Sequence, residues 1–247
     1  MQSVLRSLRV LEAVAENQPI GVADLARLLE LPTSTVQRIL VTLREAGWIA
    51  PTDDVLTRWS MTARALAVGQ KSTHGQSLIE ASAAPIRALR DKTQETIHLA
   101  VPDGTERMVI IDRADSEQAI RTYIAIGHSS PIHATASGRS VLAALPDSAL
   151  EEVIGRGLPA VTDRTITDPA QLRERIAAVR STGYAVVLGE NRPQISAIAA
   201  AVLDPASRPV AAVAISMPAL RYNDALPATW GVLAVSTAKE IANSLRG

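Results

Sequence analysis

The chain contains no cysteine and no phenylalanine among its 247 residues, and aromatic side chains make up only 2%. Without cysteine, disulfide bonds, thiolate metal sites and cysteine nucleophiles are all excluded. A surface that stacks the bases of RNA or single-stranded DNA needs several aromatic rings, so those ligands are disfavoured. The lack of cysteine also fits a reducing compartment.

The chain also has no excess of positive or of negative charge. Lys and Arg together number 25, Asp and Glu number 25, and the formal net charge is zero. The first 50 residues balance in the same way, with Arg6, Arg9, Arg27, Arg38 and Arg44 against Glu12, Glu16, Asp24, Glu30 and Glu45. Charge therefore gives no support to a nucleic-acid partner, which usually binds a basic patch.

Long uninterrupted apolar runs are absent from the N-terminus. The stretch MQSVLRSLRVLEAVAEN places Arg6, Arg9 and Glu12 among its apolar residues, unlike a signal peptide or a membrane span. We therefore expect a cytoplasmic protein with no membrane partner. Hydrophobic residues nevertheless make up 47% of the chain, which favours a packed core over extended disorder.

The N-terminal third has the periodicity of three short helices. Apolar residues recur at helical spacing over residues 4–14, 22–29 and 36–43. The stretch WIAPTDDVLTRWSM that follows predicts two short strands around a turn at Pro51 to Asp54. Three helices followed by a hairpin is the order of a winged helix-turn-helix.

The third of these helices opens with a run of hydroxyl residues, LPTSTVQR. One interpretation is a capped surface helix, in which Thr33 is the N-cap and Arg38 is solvated. The other is a DNA-reading helix, because Arg and Gln can read guanine and adenine from the first turns of a helix in the major groove. In that case Gln37 and Arg38 read bases while Ser34 and Thr35 bind phosphates or bases. The preceding helix and the following hairpin favour DNA.

The second part of the chain predicts an antiparallel sheet with flanking helices, an α+β fold. Residues 63–94 are helical with a break or kink at Pro85, and the domain boundary lies near residue 70. Strands are predicted at TIHLAV, MVIID, AIRTYIAI, YAVVLGE, SAIAAAVL and PVAAVAISM, with turns at PDGTER and DPASR. Helices are predicted at ATASGRSVLAAL, TDPAQLRERIAAVRSTG and Leu226 to Leu245.

The helix TDPAQLRERIAAVRSTG has the clearest end signals. Asp168 is the expected N-cap, Pro169 the first helical residue and Gln171 the third, with Gly183 just past the end.

Catalytic and metal-binding motifs are absent. There is no G-x-S-x-G elbow and no Walker A loop, and His74, His98, His128 and His133 have no metal-ligand spacing. We expect His133 to be a hydrogen-bonded structural residue. Glu190 in LGENR is a general base, a loop anchor or a ligand contact. We therefore expect no cofactor and no metal.

The small residues of ATASGR allow two interpretations. They let a ligand approach the backbone, where free N–H groups at a helix start favour a carboxylate and Ser137 adds a donor. Small residues also permit close packing of a helix on a sheet, and the sequence does not choose between the two.

A series of short motifs runs along nearly the whole chain, namely LARLLELPTSTVQRILVTLREAGWI, RWSM, TIHLAV, IIDRAD, PIHATASGRSVLAALP, TITDPAQL, GYAVVLGEN and IAAAVLD. By the order and spacing of these motifs, the chain resembles the IclR (isocitrate lyase regulator) family of bacterial transcription factors. The resemblance implies a winged helix-turn-helix at 1–62, a linker helix at 63–75 and a GAF-like effector-binding and oligomerisation domain at 76–247.

The resemblance also implies function and partners. It implies a regulator that represses or activates a catabolic operon, without catalysis. Its partners would be double-stranded operator DNA, bound by a recognition helix at about 33–46, a small-molecule effector, and further copies of the chain in a homodimer or dimer of dimers.

Individual site residues follow from matching positions. The predicted DNA-binding residues are Thr33, Ser34, Thr35, Gln37 and Arg38, with Arg58 on the wing. The predicted effector-binding residues are Thr135, Ala136, Ser137, Val187, Glu190, Ala197, Ala214 and Ser216.

Three of the effector positions depart from the family pattern. Members that bind small oxo-acids tend to have an Asp, a Cys and a Ser where this chain has Val187, Ala197 and Ala214. An apolar wall leaves the polar groups of a small hydroxylated acid unpaired. We therefore expect a carboxylate effector more apolar than glyoxylate or pyruvate, or else a pocket filled by its own side chains.

Two other classes of function compete with the DNA-binding regulator. One is a small-molecule sensor that acts through protein contacts without binding DNA. The other is a hydrolase built on the second domain, for which the sequence offers no nucleophile–base pair.

Overall fold

The computed structural model describes residues 2–52, 56–69 and 73–245, with side chains from 78 onward in the last range. The chain divides into two compact units, Met1–Thr73 and His74–Gly247. The predicted linker helix at 63–75 and the predicted boundary near 70 both involve residues 70–72, which lie outside the described residues.

The first unit contains the three predicted helices and the predicted two-stranded sheet, followed by a fourth, short helix. The strands pair antiparallel, with Ile49 opposite Met61 and Pro51 opposite Trp59. The predicted turn at Pro51 to Asp54 includes residues 53 and 54, which lie outside the described residues. The elements are α1 (Gln2–Asn17), α2 (Val22–Leu29), α3 (Thr33–Glu45), β1 (Ile49–Pro51), β2 (Trp59–Met61) and α4 (Arg64–Gly69).

One apolar core holds this unit together. It buries Val14 of α1, Leu25 of α2, Val36 and Leu40 of α3, and Trp59 of β2. Burial of each such side chain stabilises the fold by about 1.5–3 kcal/mol. The apolar stripe of α3 therefore faces inward, and its opposite face is left to solvent.

The start of α3 differs from the prediction. Thr33 is the first helical residue and Pro32 is the N-cap, without a side-chain capping bond. The Pro32 carbonyl accepts from the backbone N–H groups of Thr35, at 2.9 Å, and Val36, at 3.1 Å. A side chain caps a helix from the non-helical residue before it, so Thr33 cannot act as the N-cap. Capping therefore does not account for the hydroxyl run.

The second unit is built on one antiparallel sheet with the strand order β5-β4-β3-β8-β7-β6. The predicted α+β class is confirmed. Its strands are β3 (Thr96–Asp103), β4 (Arg107–Ala114), β5 (Ser129–Pro131), β6 (Ala185–Leu188), β7 (Ile195–Leu203) and β8 (Pro209–Pro218). Its helices are α5 (Thr73–Thr93), α6 (Ala136–Ala144), α7 (Asp147–Gly155), α8 (Pro169–Thr182) and α9 (Leu226–Ser244).

The two faces of this sheet have different coverings, because successive side chains of a strand point to opposite faces. On one face, Leu99, Val213 and Ile215 pack in a core with residues of α5 and α9. On the other, Ala199 and Ala214 pack with Ala136 of α6. This second face, called here the cavity face, contains His98 opposite Ala214.

The predicted strand AIRTYIAI, residues 119–126, is wrong. The segment has no strand hydrogen bonding, and its carbonyls accept from side chains instead. Thr96 Oγ1 donates to the Thr122 carbonyl at 3.1 Å, and Arg113 Nη1 donates to the Ile124 carbonyl at 2.9 Å. The edge of β4 pairs with β5, a strand that alternation of apolar residues did not reveal.

The residues that mark the two ends of a helix gave a correct prediction for α8. Asp168 Oδ1 accepts from the Gln171 N–H at 2.8 Å, α8 begins at Pro169, and Gly183 follows its end with φ 83°. Pro85 lies inside α5, which continues on both sides, so a break at that residue is wrong.

Candidate DNA-binding helix and effector cavity

Helix α3 presents a polar face to solvent. Ser34, Gln37 and Arg38 are exposed and Thr35 is half-buried. Residues three and four apart on a helix are neighbours, so Ser34, Gln37 and Arg38 form one patch at the first turns. The buried residues of the opposite face fix the helix in its unit, which gives this patch a defined orientation.

The end of α3 adds hydrogen-bond donors to the patch. The first N–H groups of a helix have no intrahelical acceptor and favour negative charge. Thr33 and Ser34 precede Thr35, the first residue whose N–H is bound by the Pro32 carbonyl. The exposed Thr33 hydroxyl lies at the same end. Donors and a guanidinium at one helix end are suited to phosphates and base edges.

Arg58 lies in a second exposed position, directly before β2. Its Nη1 donates to the Pro19 carbonyl at 3.1 Å, which holds the side chain against the connection between α1 and α2. An exposed guanidinium has further donors free for a phosphate.

The second unit contains a cavity of about 70 Å³ between the cavity face of the sheet and the start of α6. Its wall is mainly apolar, and the residues that give it this character are Ala100, Met108, Ile110, Ile124, Val187, Ile195, Ala197 and Ala214. Polar groups reach it from His98, Ser130, Thr135, Ser137, Asn191, Arg192 and Ser216. A mostly apolar pocket with a few convergent polar groups is the usual form of a small-molecule site.

The cavity brings together most of the residues that the sequence assigned to an effector. Those on its wall are Thr135, Ala136, Ser137, Val187, Ala197, Ala214 and Ser216. The strand register explains the grouping, because Ala197 lies opposite both Val187 and Ser216. Residues far apart in sequence thus share one patch of the cavity face.

Glu190 is the exception, since it is not among the residues that line the cavity. Both of its carboxylate oxygens bind the guanidinium of Arg139, with Nη1 to Oε1 at 3.0 Å. The Arg139 side chain is only 1% exposed. Of the three roles considered for Glu190, the geometry fits the loop anchor.

The sequence did not reveal four polar groups of the cavity, namely His98, Ser130, Asn191 and Arg192. His98 gave one usable signal, since it sits at an alternating position of the strand TIHLAV. Placing the other three requires the course of the loops before β5 and between β6 and β7, which no local pattern defines.

Comparison with known proteins gives a consistent result for both units. Residues 3–53 match the IclR helix-turn-helix domain, and residues 70–243 match the family described as bacterial transcriptional regulator IclR C-terminal. The chain belongs to the IclR family. The transcriptional repressor IclR of Escherichia coli (strain K12) is 30% identical over 250 residues, which cover 100% of this chain and 91% of that protein.

Solved structures agree. A transcriptional regulator from Rhodococcus sp. RHA1 has a TM-score of 0.80 and 30% identity, covering 100% of this chain and 98% of that one. An IclR homologue from Microbacterium hydrocarbonoxydans, crystallised with 4-hydroxybenzoate, has a TM-score of 0.82 at 23% identity, with 99% of both chains covered. The second likeness concerns the fold alone.

Membership of the IclR family decides between the classes of function. The chain is a DNA-binding transcriptional regulator with a C-terminal ligand-binding domain. The family consists of regulators and not of enzymes, which excludes the hydrolase. Within residues 2–52, 56–69 and 73–245, the structure contains no helix both long enough and apolar enough to span a membrane.

The start of α6 in this IclR-family domain is shaped for a close approach. Thr135 is the N-cap and its Oγ1 accepts from the Gly138 N–H at 3.0 Å. The N–H groups of Ala136 and Ser137 come before the first intrahelical donor. A Cβ on Gly138 would lie 1.9 Å from the Ile132 carbonyl oxygen, so only glycine lets this carbonyl approach the helix.

The electrostatic environment of the cavity centres on His98. Burial, and after it the nearby charges of Arg113, Arg192 and His128, together lower the pKa of His98 from 6.5 to about 4. Arg192 Nη2 lies 3.3 Å from His128 Nε2. The imidazole of His98 is therefore neutral at pH 7 in a cationic surrounding, which favours an anionic ligand.

His133, by contrast, has a structural role in this domain. Its Nε2 lies 3.1 Å from the Pro159 carbonyl oxygen, as a hydrogen-bonded residue before a helix was expected to be. Burial lowers the pKa of His133.

Proposed function

We propose that this regulator binds a compact carboxylate with an apolar body in its cavity, and that this binding changes the affinity of α3 for operator DNA. The observation that supports the carboxylate is the cavity itself, which combines a helix start, a hydroxyl and a guanidinium with an apolar wall.

The anionic group has an evident place. The N–H groups of Ala136 and Ser137 and the Ser137 hydroxyl are donors at the start of α6, which favours negative charge. Arg192 adds a positive charge on the cavity wall. Hydrogen bonds between a carboxylate and a charged donor are stronger than those between neutral groups, so we assign the carboxylate to these groups.

The size and polarity of the cavity limit the rest of the effector. A volume of about 70 Å³ is several times the roughly 10–15 Å³ that one water requires, so the cavity suits a small molecule. Val187, Ala197 and Ala214 offer no side-chain hydrogen bond to a small polar acid. An acid with many polar groups would lose hydration there without compensation, so we expect glyoxylate to bind poorly.

Operator recognition is assigned to α3 and the wing. Ser34, Thr35, Gln37 and Arg38 would contact the major groove and its phosphates, with Thr33 at the helix start and Arg58 beside the hairpin. Two such helices reading a near-palindromic operator require a homodimer, which a dimer of dimers also provides. Since its DNA target is chromosomal, we place the protein in the cytoplasm.

Calorimetric titration of the full-length protein tests the effector assignment. Isobutyrate and benzoate should bind, their amides isobutyramide and benzamide should bind at least tenfold more weakly, and glyoxylate should bind weakly. Equal affinity for acids and amides would contradict the carboxylate. Tight binding of glyoxylate would contradict the apolar body.

The link to DNA needs a second measurement. Operator fragments taken from the DNA upstream of the regulator's own gene should bind in a mobility-shift assay, and the bound acid should change that affinity. Coupling between two sites is typically worth about 1–3 kcal/mol, or roughly 5–150-fold. An unchanged operator affinity at saturating acid would contradict the coupling.

A further inference from the structure

His98 is the buried polar side chain of the cavity whose hydrogen bonding is incomplete. It is 4% exposed and lies on the cavity wall. Within the described residues, its Nε2 has no hydrogen-bond partner. Buried polar atoms in native proteins are almost always paired, so an unpaired one requires an explanation.

The neighbours of His98 show what could pair with it. The residue opposite on β8 is Ala214, which has no polar side-chain atom, and Ser216 lies two residues further along the same face. Diagonal neighbours across antiparallel strands lie about 7–8 Å apart. One small group between them can therefore reach both His98 and the Ser216 hydroxyl, since both residues line the cavity.

The charge state of His98 limits the partner further. The cationic groups that act on it are Arg113 from β4, Arg192 from the loop before β7 and His128 from the loop before β5. Together with burial they lower its pKa to about 4, so the ring is neutral at pH 7. A neutral imidazole has one donor and one acceptor nitrogen, and a hydroxyl group complements either tautomer.

We propose that His98 is a specificity-determining residue, which selects a carboxylate effector with one hydroxyl group on an otherwise apolar body. The hydroxyl binds His98 and Ser216, while the carboxylate binds the start of α6 and Arg192. The inference rests on the carboxylate effector proposed above and adds the second polar group.

Two sets of acids test this inference by titration calorimetry on the full-length protein. The first set is isobutyrate, 2-hydroxyisobutyrate and 3-hydroxyisobutyrate, and the second is benzoate, 3-hydroxybenzoate and 4-hydroxybenzoate. In the wild type, a hydroxylated acid of at least one set should bind about tenfold more tightly than its parent, because its hydroxyl pairs with a buried group that is otherwise unpaired.

Substitutions of His98 test whether this residue causes the preference for hydroxylated acids. His98→Leu should abolish or reverse the hydroxyl preference, whereas His98→Gln, which keeps a donor and an acceptor, should retain part of it. Leu99→Met is the matched control, since Leu99 is the neighbour of His98 on β3 but packs on the opposite face of the sheet, and it should leave the preference unchanged. The melting temperature and operator affinity of each variant show that it is folded.

A buffer comparison separates a neutral from a charged His98. Titrations at pH 7 in two buffers of different ionisation enthalpy should show no proton uptake on binding. Uptake of one proton would mean that His98 pairs with the carboxylate as an imidazolium, and this would overturn the hydroxyl assignment.

The remaining outcomes are also decisive. If acids bind without a hydroxyl preference, or if the preference persists in folded His98→Leu, the inference fails while the carboxylate effector stands. If no acid of either set binds the wild type, the carboxylate effector fails and the inference fails with it.

Discussion

Arg139 of α6 and Glu190 of the loop between β6 and β7 form a buried ion pair in which Arg139 Nη1 lies 3.0 Å from Glu190 Oε1. Arg139 Nε also donates to the His133 carbonyl at 2.8 Å, and Thr165 Oγ1 donates to the Glu190 carbonyl at 2.6 Å. The pair thus connects the helix that begins at the cavity with the loop that contains Arg192.

Removing one partner of this pair should be costly. Glu190→Ala leaves the Arg139 guanidinium buried without a counter-ion, and we expect the free energy of unfolding to fall by about 3–5 kcal/mol. Urea denaturation measures the change. Arg139→Met combined with Glu190→Leu removes both charges and should recover most of the loss. A Glu190→Ala variant as stable as the wild type would show that the pair does not stabilise the domain.

A substitution in the exposed patch of α3 should weaken operator binding more than a substitution in the last turn of the same helix. Arg38→Ala should weaken operator binding by about 1–3 kcal/mol, the usual value of one bidentate base contact. Arg44→Ala is the control, because it removes the same charge from the last turn of the same helix. Fluorescence anisotropy with labelled operator gives both values, and equal losses would point to a general charge effect instead of base reading.

Gly138 predicts a loss of stability through backbone contact. In Gly138→Ala the new Cβ would lie 1.9 Å from the Ile132 carbonyl oxygen, so the short 3-10 turn Ile132–Ala134, which precedes α6, must shift. We expect a melting temperature several degrees lower, equivalent to at least about 2 kcal/mol. Gly155→Ala is the comparison, since nothing lies within 4 Å of its Cβ position near the end of α7. That variant should melt at or slightly above the wild-type temperature, and equal effects would contradict the steric explanation.

His98 predicts a dependence of stability on pH. Its pKa is about 4 in the folded protein against an ordinary value of 6.5, so between these values the unfolded chain binds a proton that the folded chain does not. The free energy of unfolding therefore falls as the pH falls through this window, by up to roughly 3 kcal/mol from this residue. In His98→Leu the decrease between pH 7 and pH 4.5 should be smaller in urea denaturation. Parallel curves for the two proteins would contradict this origin.

Local chemistry determined how much of the fold could be predicted. The ends of α8 depend on Asp168, Pro169 and Gly183, whose effects act within a few residues, so the sequence placed them correctly. The hairpin of β3 and β4 joins two strands that follow each other directly in the chain, so the sequence also predicted it correctly. Thr33 failed as a cap because Pro32, one residue earlier, already provides the N-cap carbonyl.

Long-range pairing explains what the sequence missed. Residues 119–126 alternate like a strand, yet β4 pairs through Arg107–Val109 with β5 and through Ile110 with the loop residues Gly127 and His128. His98 and Ser216 are brought near each other by the pairing of β3 with β8. The buried pair between Arg139 and Glu190 spans 51 positions, and no spacing rule connects such residues. The assignment of the small residues in ATASGR to a cavity depended on the family resemblance.

The alanines of the cavity wall have a practical consequence. Ala197 and Ala214 lie on strands whose pairing is made by main-chain hydrogen bonds, and their side chains contribute one methyl group each to the wall. Main-chain pairing does not depend on what replaces those methyl groups, provided that the replacement fits the space. These two positions are therefore natural sites for reprogramming the regulator as a biosensor for a chosen acid, with the DNA-binding unit left unaltered.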